Sequence, residues 1–600
     1  MEQLNFELVQ TKTTTAPSFK INGITVHSVY DPLIEAQKWA GQIIEKIDEE
    51  GKPDKIIVFG LGFGYHIEAL LNEIKNRFGI SHKIEIEAIE PSLESYDFIR
   101  HNFNISELLQ NIQLNILDAE SEALDASELA EKIGLNKGSV LFCELRSYKK
   151  IFPVFYDLIY KLHGINSFFS PSSFKILVVQ PIYGGSSTIG NYLYAALLKC
   201  GYDAKILDFS NFYDGYKYLG EFTPNEDHVN SLKQMFVNLM SEALLSSVFN
   251  DTPDLVIFMA QSPATERTLL KLKSMEIKTA YWFVEDYHTM TYWSGIAKHA
   301  DYFFTIQKDD FFEELKNTGL KNYHYLPLAC LPDFHKKIAC KNKEDGEKYG
   351  SDISFAGAGY FNRKNMFAQL MDFNFKIWGS DWIVDLPLSL LIQEGGKRFS
   401  EEEAVKIYNY SKININLHSS LWHKEINPNG DFLNPRVYEI MGCGGFQLVD
   451  KRKYMDGVFE DGKDFVIFDG ADDLRKKIKY YLDNEDERLA IAEHGYETAR
   501  KNHTYELRVR EMMNIILLDS YDSIKSKLIS RKESVLKLLE ETEENGELHQ
   551  LILKFADKNA ISIKDMVDYI KSGKGRLSKT EAMVLMLWAL KSKLVKPDGL

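Results

Sequence analysis

"FKILVVQPIYGGSSTIGNYLYAALLKCGYDAKILDF", residues Phe174 to Phe209, runs from an apolar strand through a glycine turn into a helix and on to a second strand. That order is a βαβ unit, so the stretch predicts an open, parallel α/β sheet. Glycine after the first strand lets the backbone approach a ligand closely, which makes Gly185 a candidate donor-binding position. Two further stretches open in the same way, "KIIVFGLGFGYHIEALL" from Lys55 and "DISFAGAGYFNRKNMFAQLM" from Asp352. Three such openings predict three Rossmann-like domains. Pro and Ser punctuate Asn166–Lys175, and Lys336–Gly350 is charged and poor in apolar residues, so both read as boundaries. After about Ile516 the strands stop, and apolar residues recur at helical spacing. The expected domains are therefore 1–170, 171–338, 339–516 and a helical tail over 517–600.

A chain of 600 residues is longer than one hydrophobic core of about 250–300 residues supports. With 44% hydrophobic and 26% charged residues the composition is that of an ordinary soluble protein. A formal charge of −16 argues against a nucleic-acid binder, which needs clustered positive charge. The five cysteines show no C-x-x-C spacing, so neither a zinc site nor a disulfide framework is indicated. The opening "MEQLNFELVQ" lacks signal-peptide order, and no run reaches the roughly 18 apolar residues of a membrane span. A cytoplasmic location is expected.

The candidate site rests on "NPRVYEIMGCGG", Asn434 to Gly445. Asn434 before a proline reads as a helix N-cap, and the glycines read as the stop. Arg436 and Glu439 lie three residues apart and project from one face. Arg436 can serve a diphosphate, and Glu439 can accept hydrogen bonds from two ribose hydroxyls. Gly357 and Gly359 end the strand of the third opening, with Arg363 and Lys364 following where a phosphate could be neutralised. "KTAYWFVEDYHTM" is a strand whose carboxyl end carries Glu285, Asp286 and His288, and ligands bind beside such ends. An ordinary surface turn at 434–445, and helix capping with surface charge at 285–288, are the competing structural readings.

Residues from about 173 to 516 resemble GT-B glycosyltransferases, and within them the group of the spore maturation protein CgeB. The motifs are "WFVEDYH", "DISFAGAGYFNRK", "NPRVYEIMGCGGFQLVD" and the closing "AEHGYETARKNHTYELRVREMM". The resemblance implies two facing Rossmann-like lobes, the donor nucleotide held by the second, the acceptor entering from the first, and transfer in the cleft. Arg436 and Glu439 match the family's Arg and Glu, whereas Glu285 stands where relatives more often carry the first of two aspartates. The Asp-x-Asp spacing that holds a divalent ion is absent, so a metal-independent transfer is expected. Asp286 is the first candidate to take the acceptor proton and Glu285 the second; His418, ending "ININLHSS", is expected on the sugar.

In the first opening, the glycine turn with Glu90 at the next strand end reproduces the pattern of methyltransferases and dinucleotide binders. The region also resembles the amino-terminal part of motility-associated factor flagellin glycosyltransferases. A retained scaffold and a cofactor site both remain open. The expected function is transfer from a nucleotide diphosphate sugar to an acceptor hydroxyl, on a protein such as flagellin, with no cofactor beyond the donor. The alternatives are a bifunctional S-adenosylmethionine-dependent methyltransferase and glycosyltransferase, or a non-catalytic nucleotide-sugar-binding protein.

Overall fold

Leu255–Met259 and Lys55–Phe59 are buried at every position, as strands must be when helices cover both faces of a parallel sheet. The computed structural model describes residues 4–13, 15–79, 84–117, 129, 139–340, 342–383, 388–530, 533–556, 560–561, 563–573 and 575–594. Two compact units make up the chain, Met1–Ser170 with Met513–Lys532, and Pro171–Met512 with Glu533–Leu600.

The first unit holds a four-stranded parallel sheet in the order Gln113–Ile116, Glu85–Glu90, Lys55–Phe59, Val140–Glu144. A small antiparallel sheet, Phe6–Val9, Ser18–Ile21 and Ile24–Thr25, belongs to the same unit.

The second unit contains two parallel sheets, each a Rossmann-like lobe. In the first lobe the order is Tyr323–Tyr325, Tyr302–Thr305, Lys278–Phe283, Leu255–Met259, Lys175–Val179, Asp203–Leu207. In the second lobe it is Phe375–Trp378, Ser351–Ala356, Ser411–Asn416, Gln447–Asp450, Val466–Phe468. This is the two-lobed arrangement that the GT-B resemblance implies. In each of the three parallel sheets the first strand in sequence lies inside, so the strand order reverses beside it. Ligands of open α/β sheets bind at that reversal, outside the carboxyl ends of the strands. The three glycine turns of the sequence all fall there, and what stands opposite each glycine distinguishes the three sheets.

Thr188 Oγ1 of the first lobe donates to Glu401 Oε1 of the second at 2.6 Å, and Gln307 Nε2 reaches both carboxylate oxygens of Asp431 at 3.1 and 3.0 Å. Helix Tyr505–Asp519 follows the second lobe, yet its first residue packs against Trp282 and Tyr192 of the first. The backbone also returns there, Tyr505 N–H donating to Cys330 O at 3.0 Å.

Among its described residues the tail is helical in its regular structure except for a two-residue strand pair, Glu533–Ser534 with Ala560–Ile561. It is not one appendage. Helix Tyr521–Ser530 belongs to the first unit because Tyr521 is buried there, its hydroxyl filling the space over Gly164. The later helices, from Val535–Glu540 to Lys579–Leu594, belong to the second. All five cysteines are free. Among the described residues no helix is long and apolar enough to cross a membrane.

Candidate active site

Helix Pro435–Gly442 forms as its sequence dictates: Asn434 Oδ1 accepts the Val437 N–H at 3.3 Å, and Pro435 occupies the first turn. From this helix Arg436 reaches across the reversal point of the second lobe, and its Nε donates to Ala356 O at 2.5 Å. A Cβ on Gly357 would lie 2.6 Å from Arg436 Nη2, and Gly357 has φ +156, so a side chain is excluded there on two counts. Gly359 is equally confined, by the Asp381 carbonyl and the Trp382 ring. Arg436 is partly exposed and forms no ion pair among the described residues. Its guanidinium therefore lies at the carboxyl end of the sheet without a carboxylate against it.

One turn along, Glu439 is partly buried and accepts a hydrogen bond from Tyr408 Oη at 3.3 Å. Burial raises its pKa to about 7, outweighing Arg436 and the tyrosine hydroxyl, which act in the opposite direction. Tyr192 of the first lobe has its own pKa raised by burial and then by the Glu439 charge. Tyr408, which the sequence did not point to, fixes the orientation of Glu439.

Two expected donor contacts are corrected by the geometry. Arg363 is 2% exposed; its Nε donates to Leu417 O at 3.0 Å and its Nη1 to Ala358 O at 2.8 Å. It joins two loops beneath the site and presents no charge to a ligand. Lys364 beside it is partly exposed. His418 is 4% exposed and both ring nitrogens are engaged: Nδ1 donates to Asp450 Oδ1 at 2.7 Å, and Nε2 accepts the Asn434 N–H at 2.9 Å. Burial lowers its pKa to about 4, so the ring is neutral, as this pair of bonds requires. Burial alone would raise the pKa of Asp450, but His418 and Arg452 overcome it and hold it at about 2. His418 therefore fixes the start of the Pro435 helix and has no nitrogen for a sugar.

In the first lobe the glycine that the fold needs is Gly184, one position before the expected Gly185. Gly184 has φ +113, and a Cβ there would lie 2.2 Å from Gln261 Oε1 across the reversal point. Gly185 has ordinary helical angles and open space at its Cβ. Gly184→Ala is accordingly expected to destabilise the protein by about 1–3 kcal/mol through backbone strain. Gly185→Ala should be neutral or stabilising by less than about 1 kcal/mol; thermal unfolding of the two variants checks the contrast.

Strand Lys278–Phe283 delivers Glu285, Asp286 and His288 to a loop whose Tyr287 N–H donates to Gln307 Oε1 at 3.0 Å. Since Gln307 also holds Asp431, the loop lies on the seam between the lobes. The three side chains differ. Asp286 Oδ1 accepts the His288 N–H at 3.0 Å, and the Asp286 carbonyl accepts from Thr289 and Met290, so this residue caps its own turn. The His288 side chain is 69% exposed and packs loosely beside Asp286 and Tyr287. Glu285 is partly buried and has no hydrogen-bond partner among the described residues; burial, then the neighbouring Asp286 charge, raises its pKa to about 7. Glu285 is thus a carboxyl whose proton is exchanged near neutral pH.

A glycosyl transferase-like family matches residues 363–514, which begin after Gly359 and include Arg436 and Glu439. The chain thus carries a glycosyltransferase domain in its second lobe. No curated protein matches it in sequence. Among solved structures it is similar to sucrose-phosphate synthase from Thermosynechococcus elongatus, at 10% identity and TM-score 0.42, over 57% of this chain and 98% of that one. A glycosyltransferase from Rickettsia africae matches at 15% identity and TM-score 0.41, over 59% and 98%. Anabaena HepE in complex with UDP and glucose matches at 12% identity and TM-score 0.39, over 57% and 99%.

Proposed function

We propose that the chain is a cytoplasmic GT-B glycosyltransferase of the CgeB-like group, moving a sugar from a nucleotide diphosphate sugar to an acceptor hydroxyl. The observation that carries this reading is Arg436 lying over Gly357 at the reversal point of the second lobe, with Glu439 one turn away on the same helix. A side-chain-free strand end beside a cation with no ion pair among the described residues suits a diphosphate, and a carboxylate three residues on suits a ribose diol. Gly359, Lys364 and Asn434 complete the donor side, Asn434 by capping the helix that carries both groups. No divalent ion is required by this arrangement, because Arg436 supplies positive charge where it develops on the leaving diphosphate. Glu285 takes the acceptor proton, and Asp286 and His288 shape its loop.

The acceptor is a protein, with flagellin as the leading candidate, on the strength of the amino-terminal region's resemblance to flagellin-modifying enzymes. A panel of nucleoside diphosphate sugars, each tested for hydrolysis and for thermal stabilisation, examines the donor reading. At a concentration 100 times its dissociation constant the correct donor adds about 2.7 kcal/mol of stability. A panel in which no compound is hydrolysed and none shifts the melting temperature would sink the reading. Transfer to purified flagellin tests the acceptor separately.

A further inference from the structure

The first unit has the outward form of a cofactor domain, with strand Lys55–Phe59, a turn containing Gly60, Gly62 and Gly64, helix Tyr65–Phe78, and Glu90 ending the next strand. Such a turn serves S-adenosylmethionine or a dinucleotide by exposing backbone N–H groups and leaving room above the glycines, while the acid accepts ribose hydroxyls. Neither provision is free here. Leu61 N–H is directed to Glu90 Oε2 at 3.4 Å, Gly62 N–H to Tyr148 Oη at 3.2 Å, and Phe63 N–H to His27 Nε2 at 2.8 Å. The Gly64 N–H closes the turn on Leu61 O at 3.0 Å.

The space is filled as well. A Cβ on Gly60 would lie 2.5 Å from Tyr148 Cγ, one on Gly62 2.5 Å from His27 Nε2, and one on Gly64 2.3 Å from Leu108 Cδ2. Tyr148 comes from helix Arg146–Ile151, which follows the strand on the other side of the reversal point, and it is 0% exposed. Its hydroxyl donates to Glu90 Oε2 at 2.8 Å and stands 3.3 Å from Ser95 Oγ. Glu90 is itself fully buried.

We propose that Tyr148 is a built-in occupant of the nucleoside place of this unit, its phenol standing where a ribose hydroxyl would meet Glu90 and Gly62, so that the unit binds neither S-adenosylmethionine nor a dinucleotide. The glycines are kept for the close approach of the protein's own side chains. The unit is a closed scaffold, and the bifunctional methyltransferase reading loses its cofactor.

Calorimetry and thermal unfolding of the full chain test this. Wild-type protein titrated with S-adenosylhomocysteine and with NAD to millimolar concentration is expected to show no binding heat and no melting shift. Saturable binding of either compound overturns the proposal. Tyr148→Ala removes a phenol from a buried, hydrogen-bonding cavity, so phenol itself should raise the melting temperature of the variant by several degrees while leaving wild type unchanged. Tyr148→Phe keeps the ring, takes the phenol hydroxyl away from Glu90 and Gly62, melts lower than wild type and gains nothing from phenol. A folded Tyr148→Ala that ignores phenol also overturns the assignment. If that variant does not fold, the wild-type titrations decide alone.

Discussion

Glu285→Gln is expected to lower turnover about 10²- to 10⁴-fold, the usual worth of a positioned general base, while donor affinity stays within about a factor of two. An acceptor hydroxyl is a poor nucleophile at neutral pH, and the group that takes its proton works best when its own pKa lies near the working pH. Glu285 meets that condition because burial and Asp286 raise its pKa to about 7. Asp286 spends one oxygen on the His288 N–H and is 37% exposed, which suits turn capping. The sign of the pH effect follows directly. Glu285 accepts a proton only when ionised, so wild-type turnover should rise with pH through about 7 and then level. The glutamine variant should lose that rising limb, and Asp286→Asn should keep it, moved to lower pH because the neighbouring charge is gone, at moderately reduced turnover. Full turnover in Glu285→Gln, with the loss appearing in Asp286→Asn instead, would return the role to the aspartate.

The fold was largely legible because apolar runs ended by glycine turns are enforced by covering helices on both sides of a sheet. The same logic predicted the capped helix Pro435–Gly442, since a cap, a first-turn proline and an Arg–Glu pair are all local signals. Partners far apart in sequence were not legible. His418 looks like a cleft residue at a strand end, yet Asp450 and the Asn434 N–H take both its nitrogens. Arg363 looks like a phosphate ligand, yet two carbonyls draw it inward. Gly184 and Gly185 are indistinguishable until Gln261, which follows another strand, is seen to crowd only the first. The same holds for Tyr148, whose approach to Gly60 depends on strands paired 85 residues apart, Lys55 against Val140. Each correction concerns what faces a residue across a reversal point or between loops, which periodicity does not report.

Arg436→Ala and Glu439→Ala are each expected to weaken donor binding about 10- to 150-fold, corresponding to about 1.5–3 kcal/mol for a charge-assisted hydrogen bond. The two losses should differ in kind. Arg436 meets the diphosphate, so its removal should weaken a nucleoside diphosphate and leave the free nucleoside almost unaffected. Glu439 meets the ribose, so its removal should weaken both. Burial raises the pKa of Glu439 to about 7, and only the ionised form can accept from two hydroxyls. Donor affinity of the wild type should therefore fall as pH drops below about 7, by up to tenfold per unit once the carboxyl is mostly protonated, and Glu439→Gln should abolish that dependence. Because we assign Glu285 to turnover and Glu439 to affinity, calorimetry and steady-state kinetics over pH separate two groups that ionise in the same range. Unchanged affinity in both alanine variants would place the nucleotide elsewhere. Loss in Arg436→Ala alone would keep the diphosphate over Gly357, where the guanidinium already lies, and move the ribose away from Glu439.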